Sequence, residues 1–233
     1  MSQGGIVALY LLASYLLGSL PFGLWIAWQW KHVDIRTVGS GNIGATNVFR
    51  ICGPFAGSFV FILDLLKGLL PPLAGNYLLH LHSMPQWVIL AGLLAIVGHN
   101  FSIWLGFKGG KGIATSAGVL MGLCPLAGLG VVVVFFVTLL AFRWISLGSL
   151  MTAVTLPIFT LLFYPGQYYL LAFSLTASVM ATYRHRANIQ RLLAGTEPKV
   201  NLFGRKQPPV DPGSEASSSR EAPSPGDTGP QKP

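Results

Sequence analysis

Residues Gly39-Ser40-Gly41-Asn42-Ile43-Gly44-Ala45-Thr46-Asn47-Val48-Phe49-Arg50 place three glycines, four small polar side chains and one arginine in twelve positions of a mostly apolar chain. Backbone N–H groups, hydroxyls, amides and a guanidinium are the groups that hold a phosphate. The alternative is an ordinary loop leading into a helix. The density of Ser40, Asn42, Thr46, Asn47 and Arg50 argues against it, as do the glycines, of which Gly41 sits between the first two polar side chains.

A second polar run begins at Gly98-His99-Asn100 and ends in Phe107-Lys108-Gly109-Gly110-Lys111-Gly112. Lys108 and Lys111 bracket Gly109 and Gly110 just before an expected helix start at Gly112. Fixed cations and free N–H groups at the positive end of a helix dipole form an anion site. The run is not a Walker A loop: Leu105 stands where its first glycine belongs, and Gly112 replaces the hydroxyl residue that would hold magnesium. Snorkelling at a membrane surface would explain the lysines but not the glycines. His99 and Asn100 lie inside the end of an apolar span, where a packed histidine bonded to a neighbouring helix is expected rather than a catalytic one.

The third run is Tyr183-Arg184-His185-Arg186 through Asn188, Arg191, Gly195, Glu197 and Lys199. On one continuous helix His185, Asn188 and Arg191 share a face, and Gly195 ends it. A basic helix lying on anionic lipid is the competing reading. Glu197, one of only three acids before residue 207, does not fit a simple lipid anchor. Asp64 and Lys67, three apart in an apolar run, are expected to form a structural ion pair.

The elements that must position these runs are membrane helices. The chain has 233 residues, 52% hydrophobic and 9% charged, against roughly a quarter charged in soluble domains. Thirteen of the fifteen Lys and Arg and three acids fall in residues 1–206, giving +10, while 207–233 carries −2. The basic excess points to anionic lipids or an anionic substrate, and a largely lipid-covered surface argues against nucleic acid. Cys52 and Cys124 belong to no metal-spaced cluster and are expected unbridged. The first span has no basic run before it and reads as retained.

Spans are expected at about 5–29, 54–75, 87–106, 112–124, 126–142, 145–164 and 166–183. Pro125 divides the long apolar stretch 112–142. With that division, every Lys- or Arg-bearing connection falls on one side. The positive-inside rule then gives an all-α integral membrane protein of seven transmembrane helices, one or more of them short, with the N-terminus outside and the C-terminus cytoplasmic. Residues 1–206 form the membrane domain. Residues 207–233, rich in Pro, Ser, Gly and charge, read as a disordered cytoplasmic tail.

The three runs, in this order and spacing, resemble the cytoplasmic motifs of the acyl-phosphate-dependent glycerol-3-phosphate acyltransferases, the PlsY family; Asp64-Leu65-Leu66-Lys67-Gly68 also fits. The resemblance covers about residues 4–204. It implies transfer of a fatty acyl group from acyl phosphate to the 1-hydroxyl of sn-glycerol 3-phosphate, yielding lysophosphatidic acid and phosphate, the first acylation of bacterial phospholipid synthesis. It implies a multi-pass protein of the bacterial cytoplasmic (inner) membrane, with its site facing the cytoplasm. A soluble acyltransferase would make the acyl-phosphate donor. No cofactor and no metal are implied. Ser40, Arg50, Lys108, Lys111, His185 and Asn188 would be catalytic. Gly41, Asn42, Thr46, Asn47, Gly109, Gly110, Gly112, Arg191 and Glu197 would bind substrate. The chain has no His-x-x-x-x-Asp and no Gly-x-Ser-x-Gly, so no acyl-enzyme is expected. The proton acceptor is either the substrate's own phosphate or His185. The reading from another class is an anion transporter, which predicts polar groups spread through both faces of the membrane.

Overall fold

The computed structural model describes residues 2–200, apart from the His82 side chain. The tail expected from 207 lies outside them. Ten α-helices follow one another: α1 (Gln3–Ser19), α2 (Phe22–Lys31), α3 (Ala45–Cys52), α4 (Pro54–Leu73), α5 (Pro85–Asn100), α6 (Ile113–Leu123), α7 (Pro125–Phe142), α8 (Ile145–Phe163), α9 (Tyr168–Arg184) and α10 (Arg186–Leu193). Among the described residues, five helical stretches are long and apolar enough to cross a membrane: Gln3–Lys31, Pro54–Leu78, Pro85–Leu105, Pro125–Phe142 and Ile145–Phe163. α6, with 11 residues, and α9, with 17, are shorter. Large apolar side chains such as Leu9, Phe59, Val137, Leu162 and Val179 are exposed along the helices, as expected where lipid is the solvent.

The first span, expected as one helix, is two. Pro21 has no N–H to continue the ladder, and Leu20 before it takes an extended ψ of 122°, the conformation a following proline favours. α2 then carries the chain ten residues further. At this break the Leu20 carbonyl accepts from Lys67 Nζ at 2.7 Å, and the Ser19 carbonyl accepts from Ser102 Oγ at 2.6 Å. α5 stops at the same level, since Gly18 lies against Ala95 and Gly98 against Ser19.

Lys67 is also the partner of Asp64, at 2.8 Å, and both side chains are almost fully buried. His99 from α5 places Nδ1 3.6 Å from the same carboxylate oxygen. The expected ion pair is therefore present, and it joins α4 to the break in the first span and to the end of α5. Gly68 and Gly118 let α4 and α6 touch backbone to backbone; a Cβ on either would strike a carbonyl oxygen, of Thr115 or Leu65 respectively. This is the small-residue packing that membrane helices use. Cys52 and Cys124 are both free and buried.

Removing one member of the Asp64–Lys67 pair leaves an uncompensated buried charge, which costs about 3–5 kcal/mol. Lys67→Met is expected to lower the unfolding free energy by about that much, measured by reversible unfolding in mixed micelles. Asp64→Leu combined with Lys67→Met is expected to recover most of the loss.

Candidate active site

Each polar run is shaped by local backbone needs. In the first, Asn47 organises the loop. It is 2% exposed, its amide nitrogen donates to the carbonyls of Ile35, Val38 and Asn42 at 3.0–3.1 Å, and its oxygen accepts from the Ser40 N–H at 3.0 Å. Asn42 closes its own turn by accepting from the Gly44 N–H at 2.8 Å, an Asx turn. The amide of Asn47, expected in the substrate shell, is thus committed to the loop. That leaves the Ser40 and Thr46 side chains and Arg50 exposed. Among the described residues nothing bonds the Arg50 guanidinium.

The second run is stitched to the end of α5. The Gly109 N–H donates to the Asn100 carbonyl at 3.2 Å, and the Gly110 N–H to the His99 carbonyl at 3.0 Å. Their carbonyls accept from Arg184. The N–H groups expected to meet an anion at Gly109 and Gly110 are therefore engaged, while Gly112, Ile113 and Ala114 at the start of α6 line the cavity.

The third run is not one continuous helix. α9 ends at Arg184, His185 bends the chain, and α10 begins at Arg186. α10 closes with Gly195 at φ +70°; the Gly195 N–H reaches Leu192 and the Thr196 N–H reaches Arg191, a Schellman ending. The following segment docks on the α7–α8 turn. Trp144 Nε1 donates to the Glu197 carbonyl at 3.1 Å, and the Val200 N–H donates to the Arg143 carbonyl at 2.8 Å.

The three runs meet at a cavity of 610 Å³, in the range of small-molecule sites. It is lined by Ser40, Asn42, Thr46, Asn47, Arg50, Lys111, Gly112, His185, Asn188, Arg191 and Glu197. Gly41, Lys108, Gly109 and Gly110 are not on its wall: Lys108 is exposed outside it, and the two glycines lie behind Lys111. Within the cavity a chain of contacts runs from Lys111 Nζ to Asn188 Oδ1 at 2.6 Å, from Asn188 Nδ2 to Glu197 Oε1 at 2.7 Å, and from Arg191 Nε to Glu197 Oε2 at 2.7 Å. Glu197 thereby fixes the Asn188 amide with its oxygen toward Lys111.

Burial opposes ionisation of Glu197, but the nearby Ser146 hydroxyl, Asn188 and Arg191 outweigh it and hold the carboxyl below the usual range. Burial pushes the Lys111 amine down to about 8; Glu197 opposes that, while Arg191, Arg184 and Arg50 add to it. Burial likewise takes His185 down to about 4. Its Nδ1 lies 2.8 Å from the Ala181 carbonyl, which can only accept. The proton of the neutral ring therefore sits on Nδ1, and Nε2 is left as an acceptor. Arg50, Lys111 and Arg191 outnumber Glu197 on the wall, and Asp64, which also reaches it, is neutralised by Lys67, so the cavity is a site for an anion.

A profile of the family described as glycerol-3-phosphate acyltransferase matches residues 8–195. The chain belongs to that family. It is 44% identical over 201 residues to the glycerol-3-phosphate acyltransferase of Geobacillus kaustophilus, covering 86% of this chain and 100% of the relative. It is 44% identical over 195 residues to that of Bacillus subtilis, covering 84% and 98%. In three dimensions it is similar to the crystal structure of PlsY, an integral membrane glycerol 3-phosphate acyltransferase, in its glycerol 3-phosphate form. The TM-score is 0.78 and the identity 37%, covering 85% of this chain and 99% of that one. The lysophosphatidic acid form of PlsY matches with a TM-score of 0.76, covering 84% and 95%.

This member of the acyltransferase family also builds its cavity from residues that sequence reasoning left out. Phe61, Phe135, Leu139 and Ile145 form an apolar side, and Ser146 and Ser149 a polar edge on α8. The apolar residues carry no signal in a chain so rich in their type. The two serines, three apart at the start of an apolar helix, were the available clue. Asp64 and His99 reach the cavity from behind the glycine loop.

A Lys111 amine that titrates near 8 is cationic below that pH and neutral above it. Competitive binding of inorganic phosphate is therefore expected to weaken as pH rises through about 8. Lys111→Arg, always charged, is expected to abolish that limb; titration calorimetry at a series of pH values reads both.

Proposed function

We propose that the protein transfers a fatty acyl group from acyl phosphate to the 1-hydroxyl of sn-glycerol 3-phosphate, giving lysophosphatidic acid and inorganic phosphate. The observation that carries this reading is the cavity in which Arg50, Lys111 and Arg191 converge beside neutral His185, with an apolar wall on one side. Both substrates bring phosphate and one brings a long chain. A cavity with cations on one side and phenylalanines on the other accommodates both.

Arg50, unengaged and on the wall, can take a phosphate on two nitrogens. Lys111 meets developing charge on the leaving phosphate, where fixed cations are most effective. Ser40 and Thr46 offer hydroxyls to the same oxygens. The acyl phosphate is a mixed anhydride: the glycerol oxygen forms the new ester bond, the C–O bond to phosphate breaks, and the hydroxyl proton must go to a base. Both carboxylate oxygens of Glu197 are engaged by Asn188 and Arg191, so Glu197 orients those two side chains rather than taking the proton. The departing phosphate receives it directly, with the Nε2 of His185 as the competing acceptor. No acyl-enzyme forms, and most of the acceleration comes from holding the two substrates together.

The finer topology belongs to the same reading. Seven crossings, with α6 as a short one, put the N-terminus outside and all three polar runs on the cytoplasmic side of a bacterial inner membrane. A soluble acyltransferase supplies the acyl phosphate.

Detergent-purified protein given palmitoyl phosphate and glycerol 3-phosphate is expected to release phosphate. Arg50→Ala and Lys111→Ala are each expected to lose about 10²–10³ in kcat/KM. Absence of release by the wild type would sink the reading. His185→Ala separates the two proton acceptors at saturating substrate. A loss below about tenfold assigns the proton to phosphate, and a loss of about 10²–10⁴ assigns it to His185.

A further inference from the structure

Arg184 lies outside the reacting groups, yet it grips the glycine loop at two points. Its Nη2 donates to the Gly109 carbonyl at 2.6 Å and its Nε to the Gly110 carbonyl at 2.9 Å. Its guanidinium stands over the Phe101 ring at 5.4 Å. The other edge of the same two residues is tied through their N–H groups to the end of α5. A Cβ on Gly109 would strike the His99 carbonyl, and one on Gly110 the His99 ring, so the loop is pressed flat between α5 and Arg184. Lys111 follows immediately, and its Nζ is held by Asn188 at 2.6 Å. Arg184 and Asn188 are four residues apart across the bend at His185. Two consecutive helices, α9 and α10, therefore hold both the backbone that carries Lys111 and the head of its side chain.

We infer that Arg184 is a positioning residue for Lys111: its planar two-point grip on Gly109 and Gly110 sets where the Lys111 amine stands in the cavity. A lysine in its place would supply the charge but only one flexible contact point, so the grip depends on the guanidinium shape and not on charge alone. The charged groups facing Lys111 are Glu197, Arg191, Arg184 and Arg50, with His185 beside it. The part of the inference that concerns catalysis rests on the proposed acyl transfer; the part that concerns the Lys111 amine does not.

The experiment uses the full-length protein with Arg184→Gln and Arg184→Lys. Lys111 is acetylated competitively across a pH series, and the labelled peptide is quantified by mass spectrometry. With the grip lost, the loop loosens and the amine gains water. The pH of half-labelling is expected to rise in both variants, and affinity for inorganic phosphate to fall about tenfold. Arg184→Lys is the deciding variant because it keeps the charge. A Lys111 profile identical to wild type in Arg184→Lys would overturn the inference, since charge alone would then explain any shift in Arg184→Gln. Lowered thermal stability with an unmoved Lys111 profile would overturn it too, since that is all a merely structural role predicts. If Arg184→Gln does not fold, Arg184→Lys decides alone. Turnover separates the two claims. A wild type that releases no phosphate sinks the acyl-transfer reading while the labelling still decides the role of Arg184. A wild type that turns over, with Arg184 variants unchanged in KM and labelling, sinks only this inference.

Discussion

Interrupting helices inside an apolar protein frees backbone groups that no water is present to satisfy, and such groups cost several kcal/mol each when left alone in hydrocarbon. This constraint organises the molecule. The first span breaks after Ser19, α5 stops at Asn100 and α6 begins at Ile113, and these ends face one another. The freed carbonyls named here find a side chain or a loop N–H. The Leu20 carbonyl takes Lys67, the Ser19 carbonyl takes Ser102, and the Phe101 carbonyl takes Tyr15 at 2.9 Å. The α5 carbonyls of His99 and Asn100 take Gly110 and Gly109. The Asp64–Lys67 pair sits at the centre of this arrangement because Lys67 both neutralises Asp64 and caps the broken helix. Its charge is therefore structural, whereas Arg50, Lys111 and Arg191 line the cavity.

The same interruptions make the site. A bundle of unbroken helices would have its polar ends at the membrane surface, exposed to water. Here the first span breaks and α2 runs ten residues further, while the glycine loop and the start of α6 lie against the end of α5. Of the cations that line the cavity Arg50 is exposed and Lys111 half-buried, and burial lowers the Lys111 amine to about 8. Shielding strengthens its interaction with an anion while keeping the amine close to titration. Glu197 sets the balance. It offsets the mutual repulsion of Lys111 and Arg191 without being free to occupy the anion's place, because both its oxygens are already bonded.

Much of this was legible in the sequence, for definite reasons. The three polar runs stand out because a lipid-facing chain cannot hide glycines, amides and cations, and the Asp64–Lys67 pair follows from spacing and cost alone. Pro125 and the distribution of Lys and Arg divide 112–142 correctly into α6 and α7. The break at Pro21 was missed although the same proline argument applied; the apolar run continues through it without a change in composition, and hydropathy outweighed backbone chemistry. The division of labour within each run was also hidden. Asn47 and Thr46 are neighbours of similar polarity, and only the folded loop shows that Asn47 serves the backbone while Thr46 faces outward. Lys108 and Lys111 look equivalent around two glycines, yet a half-turn of chain sends one outside and the other to Asn188. Phe61, Phe135 and Leu139 carry no mark that distinguishes a cavity wall from a lipid face.

The bend at His185 shows how one local irregularity serves the chemistry. The Ala181 carbonyl accepts an ordinary i→i−4 helical bond from the His185 backbone N–H at 3.1 Å and a second contact from the ring Nδ1 at 2.8 Å. The ring contact fixes the tautomer with the proton on Nδ1 and leaves Nε2 as an acceptor. Arg184, just before the bend, bonds the glycine loop, and Asn188, one turn after it, bonds Lys111. Residues four apart share a face even on a continuous helix, so the spacing of Arg184 and Asn188 already directs both toward the segment that carries Lys111. The segment Arg184–Asn188 is therefore more than a basic patch: its first residue holds the glycine loop and its last holds the Lys111 amine.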